Sequence, residues 1–311
     1  MNTMPYFDAH CDTLSRCLEQ DACLWENDGQ LDLKRLGGFA KRGQIFAIYH
    51  DSAVPTEDGL FAMCRRQQEL FADFSKKHVD CMTQCRTGAE IDSAVGEGKL
   101  AAILSVEGGE LLDCNPEKLD WAQEVGVRCV NPTWNHANAL SGSNVEQRER
   151  GLSDAGWEFV RQAQARNILI DVSHLSDPGF WDLVDITQKP IVATHSNARA
   201  LCGHTRNLTD DMFRAIVQTG GVVGINFWVR FVRDTAEPTM DDLVRHIDRF
   251  MDLGGAKHLC LGGDLDGCDK LAGGMAGVQD VPTLWQALRD HGYGVQELED
   301  LFFHNLRRVL E

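Results

Sequence analysis

Ile168-Leu169-Ile170-Asp171-Val172-Ser173-His174 and, one helical stretch later, Ile191-Val192-Ala193-Thr194-His195 decide the fold. Each is a short apolar run that ends in an imidazole. The pattern between them, Asp177–Thr187, reads as a helix with Pro178 in its first turn. A β-rich run, a helix and a second β-rich run form the unit from which parallel sheets are built, and continuous apolar runs suit strands buried on both faces. The same alternation extends in both directions. Upstream lie Tyr6–His10, Gln44–His50, Leu100–Glu107 and Val125–Trp134; downstream lie Gly221–Trp228 and Leu259–Asp264. Helical patterns separate them. Glu57–Lys77 is amphipathic, Ser153–Arg166 opens on the cap chemistry of Ser153 and Asp154, and Thr209–Thr219 stops before Gly220-Gly221. Thr239–Leu253 opens on Thr239, and Val295–Leu310 carries Leu298, Leu301, Phe302 and Leu306 as its apolar face. Eight strands with helical crossovers predict an α/β fold, a (β/α)8 TIM barrel, as one domain over residues 1–311. The first crossover, around 11–43, is irregular and is expected to hold a hairpin or lid. The competing architecture, an open doubly wound sheet, has no positive support: no G-x-G-x-x-G or G-x-x-x-x-G-K-[ST] follows a strand.

Composition narrows the function classes. The chain has 311 residues, 43% hydrophobic and 25% charged, ample for a core without staples. A net charge of −17 argues against a nucleic-acid-binding surface. No run approaches the ~18 apolar residues of a membrane span. The start, Met1 to Pro5, lacks the basic and apolar segments of a secretory leader. Eleven cysteines, an odd number with no C-x-x-C, read as reduced thiols and point to a cytoplasmic protein rather than a disulfide scaffold or Cys-rich zinc finger.

In a (β/α)8 barrel the carboxyl ends of all strands meet on one rim, where active sites sit. Here those ends carry His10 and Asp12, Glu107, His174, His195 and Asp264. Imidazoles and carboxylates in that setting are ligands of the zinc, manganese or iron type. No single pair is specific; the constellation is. His10 and Asp12 share one face at i and i+2 and suit one ion. Glu107, followed by Gly108-Gly109, can use both oxygens to bridge two cations, and His174 with His195 suits the second. Asp264 is placed to touch a bridging water or a cationic substrate group, with Asp266 its alternate. Arginine suits bidentate capture of a carboxylate, and Arg206 stands in the loop after His195, where an arginine is more often simply solvated. His136 and His204 could line the pocket; the other histidines read as surface or cap residues.

The stretches Asp8-Ala9-His10-Cys11-Asp12-Thr13, Val106-Glu107-Gly108-Gly109, Asp171-Val172-Ser173-His174, Ala193-Thr194-His195-Ser196-Asn197-Ala198, Arg206-Asn207-Leu208-Thr209-Asp210-Asp211 and Gly262-Gly263-Asp264-Leu265-Asp266-Gly267 resemble, in order and spacing, the membrane (renal) dipeptidase family of the amidohydrolase superfamily. The likeness runs from Asp8 to about Arg307. It implies a two-zinc (β/α)8 hydrolase acting on dipeptides. His10 and Asp12 would hold one zinc, His174 and His195 the other, and Glu107 would bridge them. Arg206 would meet the substrate's C-terminal carboxylate, and Asp264 would sit near its amino group and the nucleophile. One departure stands out: Trp134 occupies the position where the best-known members end their fourth strand in Leu-Thr-His, the variant being similar to a bacterial branch. Polarisation of the carbonyl would then fall to the metal alone, or to Asn135 or His136. The leader, disulfides and lipid anchor of membrane-bound relatives are not evident. The family also implies a homodimer.

The mechanism implied is attack by a hydroxide bridging two Zn2+, with Asp264 relaying its proton to the leaving amine. Two other readings compete. The same metals could serve a lactone, a cyclic amide, an N-acyl amino acid or a deamination substrate. A binding protein that had lost turnover would be expected to have lost ligands, and all five are present.

Overall fold

A computed structural model describes residues 4–234 and 237–311, so Met1–Thr3, on which part of the leader expectation rests, lie outside the described residues. Nine parallel strands form one sheet: β1 (Pro5–Cys11), β2 (Lys41–Tyr49), β3 (Met82–Gln84), β4 (Leu100–Glu107), β5 (Val127–Asn131), β6 (Leu169–Asp171), β7 (Ile191–Ala193), β8 (Val222–Ile225) and β9 (Leu259–Leu261). The order is β2-β1-β9-β8-β7-β6-β5-β4, and a pairing between β2 and β4 closes it into an eight-stranded barrel. That seam is the longest register of the sheet, from Arg42↔Leu100 to Tyr49↔Glu107. The ninth strand, β3, is the one the sequence does not announce. Its three residues pair with Leu100–Ala102, and β5 takes over beside β4 from Leu104 onward.

Alternation along the strands divides the apolar residues into two layers. Phe7, Ile45, Ala101, Ile103, Cys129, Leu169, Val192, Val222 and Cys260 pack together inside the barrel. Their neighbours, such as Phe46, Ile48, Leu104 and Ile170, pack outward against the helices. The inner layer continues toward the carboxyl rim as polar side chains of the same parity: Glu107, Asp171, Thr194, Asn226 and Asp264. The close approach of β7, β8 and β9 depends on glycine. A Cβ on Gly224 or Gly262 would lie 1.9 Å from the Thr194 carbonyl oxygen.

The helices form where the sequence places their caps. Ser153, Ser176, Thr209 and Thr239 accept the backbone N–H of Gly156, Gly179, Met212 and Asp242. Thr239 and Asp242 complete a capping box. Two regions differ from the sequence expectation. Residues 11–43 contain no hairpin; they hold the helix Thr13–Gln20, which buries Leu14 and Cys17, and a short helix, Leu33–Leu36. The C-terminal helix is not continuous. A π turn, Asp300–His304, separates Val295–Glu299 from Asn305–Val309. The additional residue in that turn brings Phe303 onto the inner-layer Phe7, at 5.5 Å between ring centroids, while Phe302 packs on Trp285. The C-terminal segment thereby closes the amino end of the barrel.

Candidate metal centre and substrate cavity

The first strand carries the irregularity that builds the site. Phe7 faces the interior and Cys11 the outer layer, and the β1–β2 register shifts between Asp8 and Cys11. Such a bulge re-aims the residues beyond it. His10 and Asp12 consequently point at the barrel axis. Their partners arrive from the other strand ends. His10 Nε2 lies 3.4 Å from Asp12 Oδ2, 3.5 Å from Glu107 Oε2 and 3.9 Å from Asp264 Oδ1. Glu107 Oε1 lies 2.8 Å from His174 Nε2 and 3.4 Å from His195 Nε2. All six side chains are buried. Three sets of donor atoms lie within 4.8 Å of one another: His10, Asp12 and Glu107; Glu107, His174 and His195; His10, His195 and Asp264. The sequence-derived ligands thus converge in one cup, and Glu107 belongs to two of the three sets.

The imidazoles are oriented from outside the cup. His174 Nδ1 contacts Asn135 Oδ1 at 3.0 Å. His195 Nδ1 contacts Thr194 Oγ1 at 2.8 Å, and Thr194 donates its own hydrogen to Asp171 Oδ2. An amide oxygen only accepts, and a hydroxyl whose hydrogen is engaged must accept from its other neighbour. Both rings therefore carry their proton on Nδ1 and turn the Nε2 lone pair inward, as metal ligands do. The two Nε2 atoms face each other at 3.1 Å. Burial pushes both imidazoles well below their usual range, with the cations of Arg206 and His10 adding to it.

The other side of the cup is acid-rich. Burial pushes the Glu107 carboxyl far up, and raises Asp264 as well. Burial alone would lower His10, but Glu107, Asp12 and Asp264 outweigh it and push the imidazole up to about 10. His10 Nε2 and Asp12 Oδ1 are buried without a hydrogen-bond partner. Unpartnered buried donors and crowded carboxylates are costly unless something completes them, and a divalent cation bound by nitrogen and oxygen does so. The residues present fit a metal.

A cavity of about 280 Å3 opens above the cup. Its lining holds two aromatic pairs, Tyr49 on Trp134 at 4.9 Å and Trp228 on Phe231 at 4.7 Å between ring centroids, together with polar residues of the helix Thr13–Gln20 and of the loop after β9. Asp264 sits at φ 58°, an uncommon conformation for a non-glycine residue, and its Oδ2 accepts from Asn226 at 3.0 Å. A Cβ at Gly267 would meet Asp12 Oδ2 at 2.1 Å, so only glycine lets this loop close over the acids. Arg206 is buried, and its guanidinium contacts neutral groups only: Ser173 O, Ser196 Oγ, His195 O and His174 Nε2. Phe231 lies under it at 5.2 Å.

Other candidates fall differently. Trp134 and Asn135 line the cavity. His136 is turned away, bridging Asp51 at 3.0 Å and Glu146 at 2.9 Å. His204 lies against Phe231, with 4.6 Å between ring centroids and the rings tilted by 50°, and does not line the cavity. Asp266 is an anchor: it accepts from Thr13 Oγ1 at 2.7 Å and from the Gln30 amide at 2.6 Å, fastening the 11–43 segment to the rim. Tyr49, Trp228 and the helix Thr13–Gln20 are cavity residues that the sequence reading passes over, although Tyr49 and Trp228 stand at strand ends like the ligands.

The class that this barrel and cup define is a metal-dependent hydrolase. More closely, the chain belongs to the membrane dipeptidase family, peptidase family M19, whose profile matches residues 1–311. It is therefore an enzyme of the metallopeptidase type. It is 32% identical to the dipeptidase AC, a metallopeptidase of the same family, with a TM-score of 0.92 over 100% of this chain and 98% of that one. It is 30% identical to a metallopeptidase from Rhodobacter sphaeroides liganded with a phosphinate mimic of the dipeptide L-Ala-D-Ala, with a TM-score of 0.90 over 99% of both chains. An uncharacterised protein of the PQQ-III 3′ region in Acinetobacter calcoaceticus is 33% identical over 293 residues, 80% of this chain and 90% of that protein. No helix among the described residues is long and apolar enough to cross a membrane.

Proposed function

We propose that this chain is a zinc dipeptidase that binds two ions through a shared Glu107. His10 and Asp12 would hold one ion with Glu107, and His174 and His195 the other. The observation that carries the reading is the pair of ligand sets meeting at Glu107, one with its lone pairs already aimed and the other with buried atoms lacking partners. When bound, the ions supply a nucleophile from water near neutral pH and Lewis-acid polarisation of the carbonyl. The chain's own residues do the rest. A dipeptide's carboxylate would be the first anionic partner of the buried Arg206 guanidinium, a charge-assisted and geometrically specific contact. Asp264, held by Asn226, takes the proton of the attacking water and hands it to the leaving nitrogen. Trp134 and Asn135 confine the substrate on one side, and His136 stays outside. A cavity of about 280 Å3 suits a small substrate, recognition of both termini at a fixed separation would exclude longer peptides, and the Rhodobacter sphaeroides relative holds a dipeptide mimic.

The test is a panel of dipeptides, C-terminally amidated dipeptides, N-acyl amino acids and lactones, offered to chelated and zinc-reconstituted protein. Dipeptide hydrolysis only after reconstitution, with the amides poor substrates, is the expected result. Equal rates in both preparations would remove the metal from the reading. Turnover of lactones or N-acyl amino acids without dipeptides would replace the substrate.

A further inference from the structure

Tyr49 is the last residue of β2 and the register partner of Glu107. Ile45 packs inside the barrel while Phe46 and Ile48 pack outside, so parity turns Tyr49 inward, beside the shared carboxylate. Its backbone is fastened by side chains. The Tyr49 N–H donates to Gln67 Oε1 at 3.0 Å, Gln67 Nε2 donates back to the Tyr49 carbonyl, and Ser15 Oγ donates to that carbonyl at 3.1 Å. Gln67 is itself buried, in the helix Leu60–Lys77. The ring rests on Trp134, with 4.9 Å between centroids.

The phenol oxygen forms no hydrogen bond among the described residues, yet it faces the cavity. Burial, together with Glu107 and Asp12, pushes its ionisation far up, so it remains an O–H donor at any working pH. Neighbouring donors are already committed. His136 is held by Asp51 and Glu146, Trp228 Nε1 donates to Asp269 Oδ1 at 2.7 Å, and Arg206 is assigned to the substrate carboxylate.

We infer that Tyr49 is a further catalytic residue, donating its phenolic hydrogen bond to the scissile carbonyl oxygen as that oxygen gains negative charge. The inference rests on the dipeptidase reading. A donor fixed before the reaction and aimed where charge develops is worth most in a buried site.

The experiment compares zinc-reconstituted wild type with Tyr49→Phe, which keeps the ring and removes only the hydroxyl. Zinc content, kcat, KM and the affinity of a tetrahedral phosphinate dipeptide analogue are measured. Expected are full zinc content, KM within about threefold, and kcat and phosphinate affinity both reduced by about 10²-fold. An unchanged kcat, a change confined to KM, or loss of zinc would each overturn the assignment. A wild type that hydrolyses no dipeptide would instead overturn the dipeptidase reading itself.

Discussion

The metal cup has two unlike halves. On the β6–β7 side, His174 and His195 are held neutral by burial and oriented by Asn135 and the Thr194–Asp171 pair, so their lone pairs converge before any ion arrives. On the β1–β9 side, Asp12, Glu107 and Asp264 crowd around His10, whose Nε2 has no hydrogen bond. The first half is finished by protein atoms; the second is finished only by a cation. The contrast suggests a division of labour. On the proposed two-ion reading, the nitrogen half would supply geometry and the acid half the charge that draws the ions in.

Glu107 is the residue common to the sets His10–Asp12–Glu107 and Glu107–His174–His195, so the largest effect is expected there. Glu107→Gln keeps the shape but removes the charge and one acceptor oxygen. It should cost on the order of 10³-fold or more in kcat/KM and lower the zinc content of both sites together. Elemental analysis beside steady-state kinetics checks this. Retention of one full equivalent of zinc would show that the halves bind independently.

The next pair of substitutions sets the halves against each other. Asn135→Ala frees the His174 ring and should weaken zinc binding by about 10- to 100-fold. It should also lower the thermal midpoint of the metal-stripped protein, because a buried imidazole N–H loses its acceptor. Asp12→Asn should weaken zinc binding as well, yet raise the midpoint of the stripped protein. Three carboxylates surround one imidazole, so His10 keeps two acidic partners when one is neutralised. Competition with a chromogenic chelator and calorimetry after chelation give both readouts. Midpoints moving in the same direction would erase the distinction between the halves.

Particular residues show why the candidate ligands could be read from the sequence and other features could not. Each ligand ends or follows an apolar run, and in a parallel barrel that position alone determines which rim it joins. Asp264 and Asp266 look equivalent in sequence. They separate only in space, where Thr13 and Gln30, more than 230 positions away, claim Asp266 as an anchor. Tyr49 ends an apolar strand and reads as core; its inward parity becomes meaningful only once β2 is known to close the barrel against β4. The strand Met82–Gln84 is too short to show a period. The helix in residues 11–43 was hidden by the loop that follows it.

The smallest effect concerns what holds Asn135 itself. It precedes His136, whose ring joins Asp51, in the loop after β2, to Glu146, in the loop after β5. Donating to Glu146, and secondarily to Asp51, raises the His136 imidazole above its ordinary 6.5. A histidine raised in the folded state contributes stability that is complete below its unfolded value, about 6.5, and lost as pH climbs through the folded one. The ring is 31% exposed and its partners more so, so solvent screening keeps the clasp weak. Amide hydrogen exchange over residues 132–153, corrected for intrinsic rates, should therefore be slower in the zinc-loaded wild type than in His136→Gln at pH 6, with the gap closing as pH rises. Zinc affinity should change by much less than in Asn135→Ala, because the 3.0 Å bond that His174 Nδ1 donates to Asn135 Oδ1 survives the substitution. A gap that ignores pH would mean the loops are joined by packing of Trp134 on Tyr49 rather than by charge. The order of the nitrogen half would then begin in the aromatic wall.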